Sequence, residues 1–196
     1  MFKKLFAATL LLSLVTFIPV GHAAEFSVDA AHSTVGFSVP ILNGLSKVRG
    51  KFSDFAVTID YDEANPSKSS VNAVIKAASI DTGIAARDKH LQTADFFDAE
   101  KFPEITFKSS RVEKKGKQLL AHGTFTMHGV SKEIVMPINV TGKFVDPTSK
   151  ATSYGFSATL KLNRMDYSIN YQRKGSENFL GKEVTIELDL LTRPPK

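Results

Sequence analysis

An all-β fold built on an antiparallel sheet, a barrel or a sandwich, is what this 196-residue sequence predicts. Three observations predict it. Apolar and polar residues alternate with a period of two in one stretch after another, so every second side chain shares a sheet face. Each stretch then has one dry side and one wet side, which describes an antiparallel sheet rather than a doubly covered parallel one. Short turns rich in Gly, Asn, Asp and Pro separate the stretches, as in sandwiches and barrels.

Taken in chain order, the first segment is not part of that fold. Lys3 and Lys4 precede an apolar run from Leu5 to Val20, and Gly21-His22-Ala23 puts small residues where a signal peptidase reads. This predicts a secretory signal peptide over residues 1–23, cut after Ala23. The run is short for a retained span of about 20 apolar residues. Residues 24–196 then form one domain with room for a sizeable core, and the leader predicts the periplasm of a Gram-negative bacterium.

The first strand falls at about 33–41, where Val35, Phe37, Val39 and Ile41 alternate with Thr34, Gly36, Ser38 and Pro40. Asn43-Gly44 turns the chain into 46–52, with Val48, Gly50 and Phe52 opposite Lys47, Arg49 and Lys51. Phe55, Val57, Ile59 and Tyr61 mark 54–61, which is either a new strand or the second half of a bent one. Asn65-Pro66-Ser67 separates it from a strand at 70–77. Further on, strands fall at 104–112, 118–127, 132–144, 153–162 and 182–191. Their apolar sets include Leu119-Ala121-Gly123-Phe125-Met127, Ile134-Met136-Ile138-Val140, Tyr154-Phe156-Ala158-Leu160-Leu162 and Val184-Ile186-Leu188-Leu190.

From Asp81 to Lys101 the alternation stops. Asp81 or Thr82 suits a cap for a short helix running through Arg87 and Leu91, and Asp95 suits a cap for a further turn. Phe96 and Phe97 are adjacent, and no single helix face buries both. Phe102-Pro103 returns the chain to extended geometry. A helical insertion of about twenty residues is therefore expected, of the kind that covers an end or edge of a barrel.

Composition narrows the function. The formal net charge of +5 falls by two with the loss of Lys3 and Lys4, too little to argue for nucleic acid. The absence of cysteine removes disulfides, thiol chemistry and Cys-based metal sites. His122 and His128 lie six residues apart on one strand run, roughly 20 Å at about 3.4 Å per residue, so they do not share a metal. Asp29 with His32, and Asp88 with His90, are the pairs that acid–base chemistry would use. No nucleophile elbow, H-E-x-x-H motif or glycine-rich phosphate loop accompanies them. Lys47, Arg49 and Lys51 make a basic stripe, and Arg49 is the residue best shaped for phosphate. Of the 15 phenylalanines, three lie in the leader, while Phe37, Phe55, Phe107, Phe125 and Phe156 all fall on dry faces. A barrel of about eight strands either fills its interior with such side chains or holds one ligand.

Several short motifs occur in a fixed order: Asp29-Ala30-Ala31-His32-Ser33, Val35-Gly36-Phe37, Val48-Arg49-Gly50-Lys51-Phe52, Arg87-Asp88-Lys89-His90-Leu91 and Phe96-Phe97-Asp98. Phe102-Pro103-Glu104-Ile105, Gly123-Thr124-Phe125-Thr126-Met127-His128-Gly129-Val130 and Asn163-Arg164-Met165-Asp166-Tyr167 complete the series. In that order, over nearly all of residues 24–196, the sequence resembles the YceI-like family of periplasmic proteins. The resemblance implies an eight-stranded antiparallel, lipocalin-like barrel with a short helical insertion. It implies an elongated apolar cavity for a polyisoprenoid chain, such as a polyprenyl phosphate or an isoprenoid quinone, and no catalysis. The sequence departs from the family pattern at Ile41-Leu42, where a histidine is common, in the longer Asn43-Gly44-Leu45 turn, and at Ser168, where glycine is common.

The expectation is thus a periplasmic lipid-binding protein with a bound isoprenoid or quinone as its ligand and no other cofactor. Phe37, Val39, Phe107, Phe125, Met127, Ile138, Phe156 and Leu160 are the expected wall, with Met127 and Met136 adaptable parts of it. Arg49, His90 and Arg164 are expected at the mouth or holding the insertion. Expected partners are the lipid and, transiently, a membrane or membrane protein, with no nucleic acid; a homodimer stays open. Two other readings remain: a hydrolase or isomerase acting on a bound lipid through Asp88 and His90, and a stress-related partner protein with a filled barrel.

Overall fold

A computed structural model describes residues 24–176 and 178–194; the expected leader, residues 1–23, lies outside them. Among these residues there are eleven strands in one antiparallel sheet: β1 (Ala24–Ser27), β2 (Thr34–Ile41), β3 (Ser46–Phe52), β4 (Phe55–Tyr61), β5 (Ser70–Lys76), β6 (Ile80–Asp81), β7 (Glu104–Lys115), β8 (Gln118–Met127), β9 (Val130–Val145), β10 (Thr152–Asn163) and β11 (Glu183–Leu191). Their order is β1-β4-β5-β7-β8-β9-β10-β11-β2-β3-β6. The all-β, lipocalin-like class stands, with more strands than the eight expected. The nine long strands match the alternating stretches. The additions are β1 and β6, of four and two residues, too short to display a period.

The sheet curls over, and two sets of bonds outside its ladder tie distant parts of it together. Val28, just past β1, bridges to Thr192, just past β11. The Asp29 N–H donates to the Leu191 carbonyl at 2.7 Å, and the Arg193 N–H to the Ser27 carbonyl at 2.8 Å. At a second point β3 passes through Ser53-Asp54 straight into β4. There the Ser53 N–H donates to the Ser79 carbonyl at 3.1 Å, and the Lys76 N–H to the Asp54 carbonyl at 2.9 Å. So β3 and β4 are two strands, each second from an opposite edge of the sheet, not one bent strand.

The inward faces are the apolar halves of the alternating stretches, and they form one continuous core cluster. Curvature is set locally. Register shifts at Ser110 in β7, and at Thr141 in β9 where it faces Gly155 and Phe156 of β10, bend the strands that carry the extra residue. Opposite the first shift stands Gly123, where an added Cβ would lie 2.3 Å from the Lys108 carbonyl oxygen. Only a residue without a side chain lets β7 and β8 approach this closely.

The insertion is less helical than expected. It contains one seven-residue helix, α1 (Ala85–Leu91), followed by turns. The helix is not capped by Asp81 or Thr82. Gly83, at φ +78°, redirects the chain, and Ile84 stands at the N-cap without a side-chain bond. Asp81 accepts the Gly83 N–H at 2.8 Å, while Asp88 reaches back to accept the Thr82 N–H at 2.9 Å. Arg87 closes the loop by donating to Thr82 Oγ1 at 2.7 Å and to the Thr82 carbonyl at 2.8 Å. Asp95 does not cap a turn either, because its carboxylate lies 2.7 Å from His90 Nε2. Phe96 and Phe97 diverge as their adjacency requires: Phe96 packs on Tyr171 with ring centroids 4.7 Å apart, and Phe97 on Phe52 at 5.9 Å.

Candidate ligand-binding cavity

The strands enclose more volume than their inward apolar side chains fill. An apolar cavity remains, with about 180 Å³ open to the centre of a water-sized sphere, inside an envelope of about 1640 Å³ that includes its opening. A single buried water needs roughly 10–15 Å³ on the first measure, so the space is not a packing defect. Its wall draws on every long strand except β3's polar outer face, each contributing the residues its register turns inward.

Of the expected wall, Phe37 and Val39 on β2, Phe107 on β7, Phe125 and Met127 on β8, Ile138 on β9 and Phe156 on β10 all line this space. Leu160 does not. It is half-buried beside Ile186 of β11 and packs into the surrounding core, while its neighbours Ala158 and Leu162 on the same face reach the cavity. None of Phe37, Phe107, Phe125 and Phe156 stacks on another of the four among the described residues. Phe37 packs on Phe52 at 5.8 Å, Phe125 on Tyr167 at 5.4 Å, and Phe156 on Tyr61 at 5.4 Å. Phe107 and Phe125 are direct cross-strand partners, and both give a face to the void.

The three polar candidates separate. Arg49 is exposed on the outer face of β3, opposite Ser38, away from the cavity. His90 lies on α1 outside the wall. It bonds Asp95 and makes edge contacts with Phe96 and Tyr171 at 5.1 and 5.2 Å, which ties α1 to the turns behind it and to the segment after β10. Arg164 alone reaches the cavity, as part of its wall.

Other wall residues were missed by the sequence reading. Val57, Ile59 and Val71 carried the signal, since each lies on a dry face; Leu91, Phe96, Phe97, Ile169 and Leu180 carried none, since they sit in non-alternating chain. These last five close the end of the barrel where β7 begins and β8 ends. At that end Tyr167 packs on Phe125, and His128 Nδ1 lies 3.1 Å from the Tyr167 carbonyl. The far end is stacked with aromatic rings. Tyr154 touches Phe26, Tyr61 and Phe156, and its hydroxyl donates to Glu63 at 3.0 Å, beside the Lys143–Glu63 pair at 2.6 Å. Burial pushes the Tyr61 and Tyr154 hydroxyls up in pKa, and the Lys143 and Tyr154 hydrogen bonds hold the Glu63 carboxyl down; of these rings Tyr61 and Phe156 line the cavity.

The acid–base pairs lie elsewhere. Asp88 is bound to Thr82 and His90 to Asp95, and neither lines the cavity. Asp29 and His32 meet at 3.1 Å on the outer surface, where Asp29 also accepts from Arg193 at 3.1 Å. His122 sits in a surface network with Glu113 at 3.0 Å and Arg111 at 3.0 Å.

Ser168 explains one departure from the family pattern. It adopts φ +61°, the left-handed geometry in which glycine is at ease, and its N–H donates to the Met165 carbonyl at 3.1 Å. The turn forms with serine in it, at a conformational cost of about 1–2 kcal/mol.

Comparison with known proteins places this architecture. Residues 26–191 match the YceI-like domain. A UPF0312 protein of Vibrio parahaemolyticus is 37% identical over 189 residues, covering 94% of this chain and 97% of its own. Among solved structures, BcnA of Burkholderia cenocepacia superposes with a TM-score of 0.76 at 23% identity, over 85% of this chain and 99% of its own. A polyisoprenoid-binding domain from Saccharophagus degradans, implicated in plant cell wall breakdown, superposes with a TM-score of 0.66 at 19% identity, over 88% of this chain and 99% of its own.

Proposed function

The chain belongs to the YceI-like family, and on that premise we propose that it is a periplasmic carrier that holds one polyisoprenoid lipid in its barrel without turning it over. The observation that carries this reading is the cavity, a space walled by side chains from nearly the whole sheet and almost wholly apolar. The polyisoprenoid-binding relative supports the class of ligand.

Burial supplies the affinity. Each CH₂-sized group removed from water contributes about 0.8 kcal/mol, so one five-carbon isoprene unit contributes several. Association costs on the order of 4–15 kcal/mol in lost freedom. A few units therefore offset that cost, and a longer chain binds with a margin. Met127 and Met136 in the wall adapt to the kinks of a branched chain.

A carrier must also meet the membrane that supplies its lipid, and the β2–β3 hairpin fits a transient contact. Leu42 is 49% exposed and Leu45 84% exposed at its tip, and Lys47, Arg49 and Lys51 follow on the outer face. Backbone bonds from Leu42 to Phe179 at 2.8 Å and from Asn43 to Asn178 at 3.2 Å hold the tip against the segment whose Leu180 lines the cavity.

The test is direct. The mature protein, purified without detergent from the periplasm of an expressing Gram-negative cell, is examined by native mass spectrometry and by solvent extraction. One added mass, matching an isoprenoid in the extract, is expected. A clean apo mass that takes up no added isoprenoid overturns the carrier reading.

A further inference from the structure

One charged side chain stands in a wall whose other members are apolar apart from Ser69, Ser157 and Tyr61. Arg164 follows β10, where Asn163 turns the chain by accepting the Met165 N–H at 3.1 Å. The turn swings Arg164 inward until only 4% of it is exposed. Its guanidinium donates from Nε to the Gly181 carbonyl at 2.9 Å, from Nη1 to Ile169 at 2.6 Å and from Nη2 to Leu180 at 3.4 Å. A guanidinium carries five N–H donors, and these three carbonyls take three of them.

Carbonyl dipoles satisfy donors, but they do not neutralise a charge. No carboxylate among the described residues forms an ion pair with Arg164. The acids next to it in sequence and across the strand pair have other partners: Asp166 with Lys132 at 3.8 Å, and Glu183, opposite Asn163, with Lys161 at 2.8 Å. A buried charge without a counter-charge is costly, and arginine keeps its proton when buried. Burial presses its pKa downward. The cost persists for a reason, and the cavity beside it supplies one. Ile169 and Leu180, whose carbonyls hold the guanidinium, also line the void.

We propose that Arg164 is the head-group site of the cavity, its remaining N–H donors receiving the acceptor oxygens of a phosphate or of a quinone carbonyl. The lipid then lies with its acceptor-bearing end against Arg164, Ile169 and Leu180 and its tail between Phe107, Phe125 and Phe156, toward Tyr61. This rests on the carrier reading and adds to it an orientation and a class of head group. Phosphate is the better match, since it also neutralises the charge.

Three probes with similar twenty-carbon tails separate the terms: geranylgeranyl phosphate, a menaquinone with a four-isoprene side chain, and the hydrocarbon phytane. Each is delivered from cyclodextrin to the delipidated mature protein and its Kd measured. Arg164→Met is expected to weaken the phosphate or the quinone about tenfold or more, the size of one charged hydrogen bond, while phytane stays within about twofold. Arg164→Lys should restore part of the phosphate affinity. A loss confined to one of the two acceptor probes identifies the source. Equal losses for all three probes, or none, reduce Arg164 to a clamp on its carbonyls and overturn the proposal.

Because the clamp supports the fold, wild-type protein labelled with ¹⁵N-arginine gives a second readout. The Arg164 side-chain N–H resonances should move with an acceptor probe and not with phytane; no movement overturns the proposal. If phytane binds wild type as tightly as both acceptor probes, the head-group site is wrong and the carrier stands. If no probe binds, the carrier reading fails and takes the head-group site with it.

Discussion

Two arginines of identical chemistry occupy opposite places, and the backbone decides which. Arg49 sits within a regular strand, between Val48 and Gly50, so alternation sends it out to solvent. Arg164 sits one residue beyond a strand, where a capped turn overrides alternation and buries it. The strand residue's side was legible from the sequence; the turn residue's was not, because a period of two ends where the strand ends. Asp29 shows how much a single carboxylate can hold. Hydrogen bonds from Arg193 and His32, with help from the Ala31 N–H, draw its pKa from the ordinary 3.8 to about 2. A carboxyl depressed by folding contributes stability that is complete above its unfolded value and is lost as pH falls through the folded one. Melting of the wild type should therefore weaken between about pH 4 and pH 2, partly through this group. Asp29→Asn should show a shallower fall over that window, with little extra loss below it. Parallel melting curves for the two proteins across the window would remove Asp29 from the seam between the chain's two ends.

At the scale of elements, the insertion is held by few bonds, and Asp88 carries two of them. Its carboxylate accepts the Thr82 N–H and the Thr82 hydroxyl, the same residue that Arg87 grips from the other side. A seven-residue helix is too short to persist alone, so this knot is what keeps α1 against β6. Asp88→Ala should cost about 1–2 kcal/mol, as loss of a helix-end carboxylate does. Amide exchange should accelerate over residues 82–91 and stay slow in β7 to β10. Unchanged exchange in the insertion would show that packing alone holds it. The nine long strands were legible because each has a one-sided burial that period two reports. The short β1 and β6 were not, having four and two residues. The end-closing residues of the cavity escaped for a related cause: Leu91, Phe96 and Phe97 are placed by turns and by tertiary contacts with Phe52 and Tyr171, which leave no period behind.

For the whole molecule, the open question in the sequence was whether the dry faces meet. A full barrel and a hollow one share the same alternation, and what separates them is the mismatch between the volume the strands enclose and the volume their side chains fill. Small residues at inward positions create that mismatch, and Ala158 is one of them. It stands on β10 between Phe156 and Leu160, opposite Ile138 of β9 and Leu188 of β11, and it lines the void. In a packed core, a phenylalanine there would force its neighbours off their rotamers at about 1–3 kcal/mol. Set into an empty cavity, the same ring gains about 1.5–3 kcal/mol from burial. Ala158→Phe should therefore leave the melting temperature of delipidated protein unchanged or raised, while isoprenoid uptake falls. A sharp drop in melting temperature would mean that the interior has no room at this level. Full uptake in a stable variant would place the lipid elsewhere, because a ring and a prenyl chain cannot share the space between Phe156 and Ile138.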